Sequence, residues 1–199
     1  MLKVSELAEI YSANIHMAER WLAERGITVE QASIYMLGYV DDDSPESRPY
    51  RGRVAIPYLT PAGVIDIRFR STTDRGPKYL SRPGAEGHLY NVGALWRDSD
   101  VIAICEGEFD TMVMDSLSGI PAVGVPGVKL WKKHYRRLFQ DYERILVIGD
   151  GDDAGREFSI TIASQIPNAI PVLIDKGHDI NSLYVTQGQT GVVHLTKAA

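Results

Sequence analysis

From about residue 99 the chain alternates short apolar, β-branched runs with amphipathic stretches. Val101-Ile102-Ala103-Ile104-Cys105 and Ile145-Leu146-Val147-Ile148-Gly149 are the clearest runs. Apolar runs of this length read as strands buried on both faces. The pattern predicts strands near 101–105, 121–125, 144–149 and 170–174, with helices near 109–118, 130–140 and 154–166. Strand–helix alternation of this kind gives an α/β unit with a mainly parallel sheet flanked by helices. The first half is patterned differently. Residues 3–34 read as helical: Val4, Leu7, Ala8 and Tyr11 share one face, Met17, Ala18, Trp21 and Leu22 another, and Gly26 supplies a stop. Thr28, followed by Glu30-Gln31, can cap a third short helix ending near Leu37-Gly38. Residues 41–49 form a polar stretch expected to be a mobile loop. Arg53–Leu59 and Val64–Arg70, separated by Thr60-Pro61-Ala62-Gly63, carry a hairpin signal. In the second of these strands Ile65, Ile67 and Phe69 alternate with Val64, Asp66, Arg68 and Arg70, so one face is core and the other polar and partly basic. The composition shifts near Arg97-Asp98-Ser99. The expected organisation is therefore an N-terminal α+β subdomain over 1–98 and a C-terminal α/β domain over 99–199.

Composition narrows the class without deciding the function. The chain has 199 residues, 44% hydrophobic and 24% charged, the content of an ordinary globular protein. No apolar segment approaches the roughly 18 residues that a membrane span needs. The N-terminus lacks an apolar signal core, so a cytoplasmic location without membrane association is expected. Cys105 is the only cysteine, which excludes an intrachain disulfide and a cysteine-based zinc site; it is expected to pack in its strand as a small hydrophobe. A net charge of −5 does not advertise a nucleic-acid binder. Basic residues nevertheless group locally: Arg48, Arg51 and Arg53; Arg68 and Arg70; Arg75, Lys78 and Arg82; Lys129, Lys132, Lys133, Arg136 and Arg137.

The chemistry sits at the ends of the apolar runs. The first delivers Glu106-Gly107-Glu108-Phe109-Asp110, the second Asp150-Gly151-Asp152-Asp153-Ala154-Gly155. In open α/β sheets ligands bind at the carboxyl ends of the strands. Carboxylates gathered there repel one another unless a divalent cation neutralises them, and hard oxygen ligands select Mg2+ or Mn2+. A strand-end Glu106 can be a metal ligand or a general base, and Asp110 lies one helical turn further on the same side. The plainer reading is that Glu108 and Asp110 stabilise a helix N-terminus. An EF-hand calcium loop starting at Asp150 fails, because its twelfth position is Thr161 where a bidentate Glu is needed. A third segment, Lys176-Gly177-His178-Asp179-Ile180-Asn181, could add Asp179 and Asn181 to the cluster, although turns rich in Gly, Asp and Asn are common.

These segments, in this order, resemble the Toprim domain shared by bacterial-type primases, type IA and II topoisomerases and several nucleases. Glu106-Gly107 and Asp150-Gly151-Asp152-Asp153-Ala154-Gly155 match its Glu-Gly and Asp-x-Asp-x-Ala-Gly signatures. Glu106 to Asp110, the loop Ala122-Val123-Gly124-Val125-Pro126-Gly127 and the turn at Gly177–Asn181 are similar to the primase form, although Ile180 and Asn181 replace its Pro and second Asp. In the first half, Arg25-Gly26-Ile27-Thr28, Leu37-Gly38-Tyr39, Arg53-Val54-Ala55-Ile56-Pro57, Gly63, Arg70, Pro77-Lys78-Tyr79-Leu80-Ser81 and Leu89-Tyr90 also look like primase segments. The likeness covers nearly the whole chain and is that of a compact phage or plasmid primase core.

The resemblance implies metal-dependent nucleotidyl transfer that makes short RNA primers on single-stranded DNA from ribonucleoside triphosphates. Glu106, Asp150 and Asp152 would be catalytic, and Glu106, Asp110, Asp150, Asp152 and Asp179 would hold Mg2+ or Mn2+ at two sites, with no zinc. Arg53, Arg70, Lys78 and Tyr79 would contact template or triphosphate, with Arg70 and Lys78 facing the acidic cluster. A replicative helicase or a separate template-recognition protein would be the expected partner. The alternatives are a Toprim nuclease that hydrolyses phosphodiesters, and a non-catalytic nucleic-acid-binding replication accessory.

Overall fold

A computed structural model of the chain describes residues 2–197. Two compact units divide between Glu86 and Gly87.

In the first unit, helices α1 (Val4–Ser12), α2 (Glu19–Ala23) and α3 (Val29–Ile34) precede a four-stranded antiparallel sheet. Its strands β1 (Gly38–Tyr39), β2 (Arg53–Thr60), β3 (Gly63–Ser71) and β4 (Tyr79–Ser81) lie in sequence order. The expected hairpin is β2–β3, with Val54 opposite Arg70 and Ala55 opposite Phe69. Leu7, Ala8 and Tyr11 of α1 pack on Ala55, Ile67 and Phe69, joined by Val40 and Tyr50. The Tyr50 and Phe69 rings stack with centroids 3.8 Å apart, and Tyr11 meets Phe69 edge-on at 6.1 Å. Thr28 caps α3 through a capping box with Gln31, whose N–H donates to Thr28 Oγ1 at 3.2 Å while Thr28 N–H donates to Gln31 Oε1 at 2.9 Å.

The stretch expected to be a mobile loop is held together from within. The Ser44 N–H and hydroxyl and the Ser47 hydroxyl all converge on the Asp42 carboxylate. Those bonds, Ser44's hydroxyl first and Ser47's next, hold that carboxyl below its usual range. Ser47 is fully buried, with its Oγ 2.7 Å from the Tyr11 hydroxyl. Polar composition marked this segment as a loop but not that its hydroxyls satisfy one another.

The second unit is built on a four-stranded, wholly parallel sheet in the order β6-β5-β7-β8. The strands are β5 (Val101–Cys105), β6 (Ala122–Gly124), β7 (Arg144–Ile148) and β8 (Ala169–Val172). Helices α4 (Glu108–Leu117), α5 (Asp153–Ala163), α6 (Ile180–Gln187) and α7 (Gln189–Lys197) follow the expected alternation through α5. Ile102–Cys105 of β5 and Ile145–Leu146–Val147 of β7 are wholly buried, as a sheet covered on both faces requires. The unit begins at residue 87, ahead of the composition shift. Tyr90 pairs its backbone with Gly124, Asn91 donates to the Ala122 carbonyl at 2.8 Å, and Leu89 and Ala94 enter the same core as Ile102 and Val147.

Two segments differ from the sequence reading. Over 130–140 there is no α-helix; short 3-10 turns run over Val128–Leu130 and Lys133–Phe139. Like charges at i,i+3 and i,i+4 spacing, from Lys129 to Arg137, oppose a regular helix there. Beyond β8 the pattern gave only a turn, yet α6 and α7 form. Asp179 starts α6 with a capping box whose third position is Ser182, where the sequence signature calls for Glu or Gln. Among the described residues no helix is long and apolar enough to cross a membrane.

Candidate active site

The register of the parallel sheet decides which carboxylates meet. Cys105 lies opposite Ile148, so Glu106 and the Gly149-Asp150 turn leave adjacent strands at the same edge. Glu106 N–H donates to the Ile148 carbonyl at 3.2 Å, and Asp150 N–H donates back to Glu106 Oε2 at 3.2 Å. The turn after β7 is compact because glycines allow main chain to lie on main chain. A Cβ on Gly155 would run into the Asp150 carbonyl, and one on Gly149 into the Gly155 carbonyl. Gly149 N–H donates to Ser159 Oγ at 2.8 Å, tying the turn to the buried face of α5. Gly151 N–H donates to the His178 carbonyl at 2.7 Å, and Gly177 N–H to the Gly151 carbonyl at 2.9 Å. The third acidic segment is thereby laced onto the second.

Asp110 is the buried member of the set. It sits in the first turn of α4, 9% exposed, and its Oδ1 accepts from Asn181 Nδ2 at 2.8 Å and from Asn181 N at 3.3 Å. Burial, then the charges of Asp150 and Asp179, push its pKa from 3.8 up to about 7, against the opposing pull of the Asn181 bonds. Asn181 is itself 7% exposed, and its Oδ1 is buried without a hydrogen-bond partner. Asp152 and Asp179 are helix N-caps: Asp152 Oδ1 accepts from Gly155 N at 2.8 Å, and Asp179 Oδ1 from Ser182 N at 2.6 Å. Asp150 and Asp152 line a cavity of about 310 Å3 with Arg156, Ser159 and Lys176. Glu106 and Asp110 are not among the residues lining it. Cys105 is buried in β5, where burial and then Asp110 push its thiol pKa well up, so it is an inert core residue.

Among the described residues no group of three or more His, Cys, Asp or Glu side chains is arranged to hold a metal ion. The donor set nevertheless suits a hard divalent cation on one observation. The charges of Asp150 and Asp179 raise the pKa of the buried Asp110, a repulsion that a nearby cation would relieve.

The basic candidates lie in the first unit. Arg53 donates from Nη1 to the Pro77 carbonyl at 2.9 Å, which fixes the segment leading into β4. Arg68 and Arg70 stand over the Tyr79 ring, 4.0 and 4.9 Å from its centroid, because β3 and β4 pair Arg70 with Tyr79. Arg70 Nε and Nη1 are buried without hydrogen-bond partners. Arg70 and the exposed Lys78 line a cavity of about 400 Å3 with Trp21, Arg25 and residues 71–74. The sequence reading missed Arg25 there. It stacks on Trp21 with its Cζ 3.7 Å from the ring centroid and donates to the Trp21 carbonyl at 3.0 Å. The i,i+4 spacing of an aromatic and an Arg was the available signal.

A parallel sheet with acidic residues gathered at its carboxyl edge is the architecture of a Toprim-like domain, and a Toprim-like family model matches residues 103–184. The Gene 57 protein of Mycobacterium phage D29 is 42% identical over 149 residues, 72% of this chain and 97% of that protein. A DNA primase of Buchnera aphidicola is 23% identical over 88% of this chain and 37% of its own length. A solved DnaG primase catalytic domain bound to single-stranded DNA superposes with a TM-score of 0.79 at 19% identity, over 98% of this chain and 77% of that one. The chain belongs to the family of the Gene 57 protein, with a Toprim-like region over residues 103–184, and it has the fold of the DnaG primase catalytic core. It spans about a third of the length of the bacterial primase it matches.

Proposed function

We propose that this chain is a primase core that joins ribonucleotides into short primers on single-stranded DNA. The observation that carries the reading is that Glu106 and Asp150 leave adjacent parallel strands at one sheet edge, where Glu106 accepts the Asp150 N–H; the charges of Asp150 and Asp179, which raise the Asp110 pKa, add to it. Such a site attracts cations and repels phosphate unless cations are bound. Glu106, Asp110, Asp150, Asp152 and Asp179 would hold Mg2+ or Mn2+, which when bound stabilises the oxygens that enter and leave the α-phosphate. Glu106 would accept the proton of the primer 3′-hydroxyl or order a water; its Oε2 accepts the Asp150 N–H, which holds the carboxylate at the strand edge. Asn181, through two bonds to Asp110, fixes that carboxylate's rotamer. In the first unit, Arg70 and the exposed Lys78 line one cavity, where the guanidinium and the ammonium would meet a phosphate. Arg53 and Tyr79 would shape that surface, and the Tyr79 face could stack a base where Arg68 and Arg70 leave it open. The superposable domain's single-stranded DNA supports the choice of template.

The test is incubation with single-stranded DNA, labelled ribonucleoside triphosphates and Mg2+ or Mn2+. Labelled primers are the expected product. Template cleavage would assign a Toprim nuclease, and retention of DNA without chemistry a replication accessory.

A further inference from the structure

We propose that the 3-10 segment over 129–137 in the second unit is a binding surface for single-stranded nucleic acid, separate from the residues assigned above. Five of the chain's 21 Lys and Arg residues fall in these nine positions, with no Asp or Glu among them, although the chain's net charge is −5. In a chain with 26 acidic residues, ion-pair partners are plentiful. Among the described residues, however, none of Lys129, Lys132, Lys133, Arg136 and Arg137 forms a salt bridge. Lys129, Lys133, Arg136 and Arg137 are exposed. Lys132 stands over the Tyr135 ring, 5.9 Å from its centroid; the like charges gathered here lack ion-pair partners, and a polyanion is the ligand that offsets their mutual repulsion.

The segment is held as a surface despite lacking a regular helix. A ladder of rings runs outward from the core: fully buried Phe139 to Trp131 at 6.1 Å, Trp131 to Tyr135 at 5.9 Å, and Tyr135 to His134 at 4.6 Å. Trp131 Nε1 donates to Gln165 Oε1 at 3.1 Å, and the Tyr135 hydroxyl to the Gly87 carbonyl at 3.4 Å. The two middle rings are therefore fixed, the inner end is the buried Phe139, and His134 at the outer tip is exposed. In a 3-10 helix residues three apart share a ridge, which places Lys133 with Arg136 and His134 with Arg137 on adjacent ridges. Phosphate-binding cations beside an exposed ring are what a strand with unstacked bases fits; a duplex offers its phosphates but no free base face.

The experiment uses the full chain, a fluorescent oligothymidylate and a duplex of equal length, with EDTA and without nucleotides. It therefore reads binding even if primer synthesis fails. Lys133→Ala/Arg136→Ala/Arg137→Ala should weaken single-strand binding and reduce the slope of log K against log[salt] by roughly 2, about 0.7 per lost phosphate contact. The charge-keeping Arg136→Lys/Arg137→Lys should retain the slope. His134→Ala should lower affinity roughly fivefold, the scale of one stacked base, with the slope unchanged. Lys129→Ala/Lys133→Ala provides a second charge deletion should the triple variant melt early. Slopes within error of wild type in both charge deletions would overturn the surface. Binding of the duplex as tight as that of the strand, or no effect of His134→Ala, would overturn its assignment to single strands.

Discussion

The main-chain N–H of Asp150 points at the carboxylate of Glu106, 3.2 Å from its Oε2. The acidic residue at the end of β5 thus orients the turn that carries the acidic residues after β7. A loss at Glu106 reaches Asp150 even before any ion or substrate is considered.

Glu106→Gln keeps the acceptor oxygen and the volume while removing the charge. Primer synthesis should fall at least ~100-fold, the scale of a general acid/base contribution, with the melting temperature close to wild type. Retention of more than half of the wild-type activity would remove Glu106 from the chemistry.

Divalent metal should raise the melting temperature of the wild-type protein, since it relieves repulsion among carboxylates that are already folded into place. Asp150→Asn/Asp152→Asn should lose that response and should be no less stable than wild type in EDTA, because Asn can still cap α5. Thermal scans with and without Mg2+ or Mn2+ decide it. An undiminished shift in the double variant would place the ion elsewhere.

Asp110 gives the metal-free protein a signed pH dependence. Its pKa is raised from 3.8 to about 7, so between those values the folded chain keeps a proton that the unfolded chain has released. Stability should therefore be greatest below about pH 4 as far as this group is concerned, and fall as pH rises toward 7. The loss is at most about 4 kcal/mol, complete above the folded pKa. Asp110→Asn should abolish this loss, so that its stability relative to wild type in EDTA should be clearly greater at about pH 8 than at about pH 5. Urea titrations at the two pH values are the check, and a wild type insensitive to pH over this range would refute the placement of Asp110.

Lys78→Ala and Arg70→Ala should each weaken binding of single-stranded DNA or nucleotide while leaving the metal response intact. Each lost template phosphate contact should shrink the salt slope by roughly 0.7. Arg70→Ala acting only on nucleotide saturation would assign Arg70 to the triphosphate. Parallel losses of stability and binding would make it structural, a support for Tyr79.

The sequence announced the parallel sheet and its acidic edge because buried strands are continuous apolar runs and Glu106 and Asp150 follow them directly. Their neighbour relation needed only the register of β5 against β7. Other features depended on partners distant in sequence. Nothing local indicates that Asn181 clasps Asp110 across 71 positions, or that Ser159 receives the Gly149 N–H. The helix expected over 130–140 failed for an electrostatic reason that periodicity does not weigh, and α6 was hidden by Ser182 in place of Glu or Gln. Residues 41–47 are a loop, as their polar composition implies, but composition does not say that the Ser44 and Ser47 hydroxyls bond the Asp42 carboxylate.

Asp152 and Asp179 each hold a helix end with one oxygen, and in the proposed site the other would bind an ion. Structural and chemical selection therefore act on the same atoms. A descendant of this chain that abandoned catalysis would still be constrained to keep Asp, Asn or Ser at both positions, since Ala there loosens a helix by roughly 1 kcal/mol. In such a lineage the acidic motif would outlive the reaction.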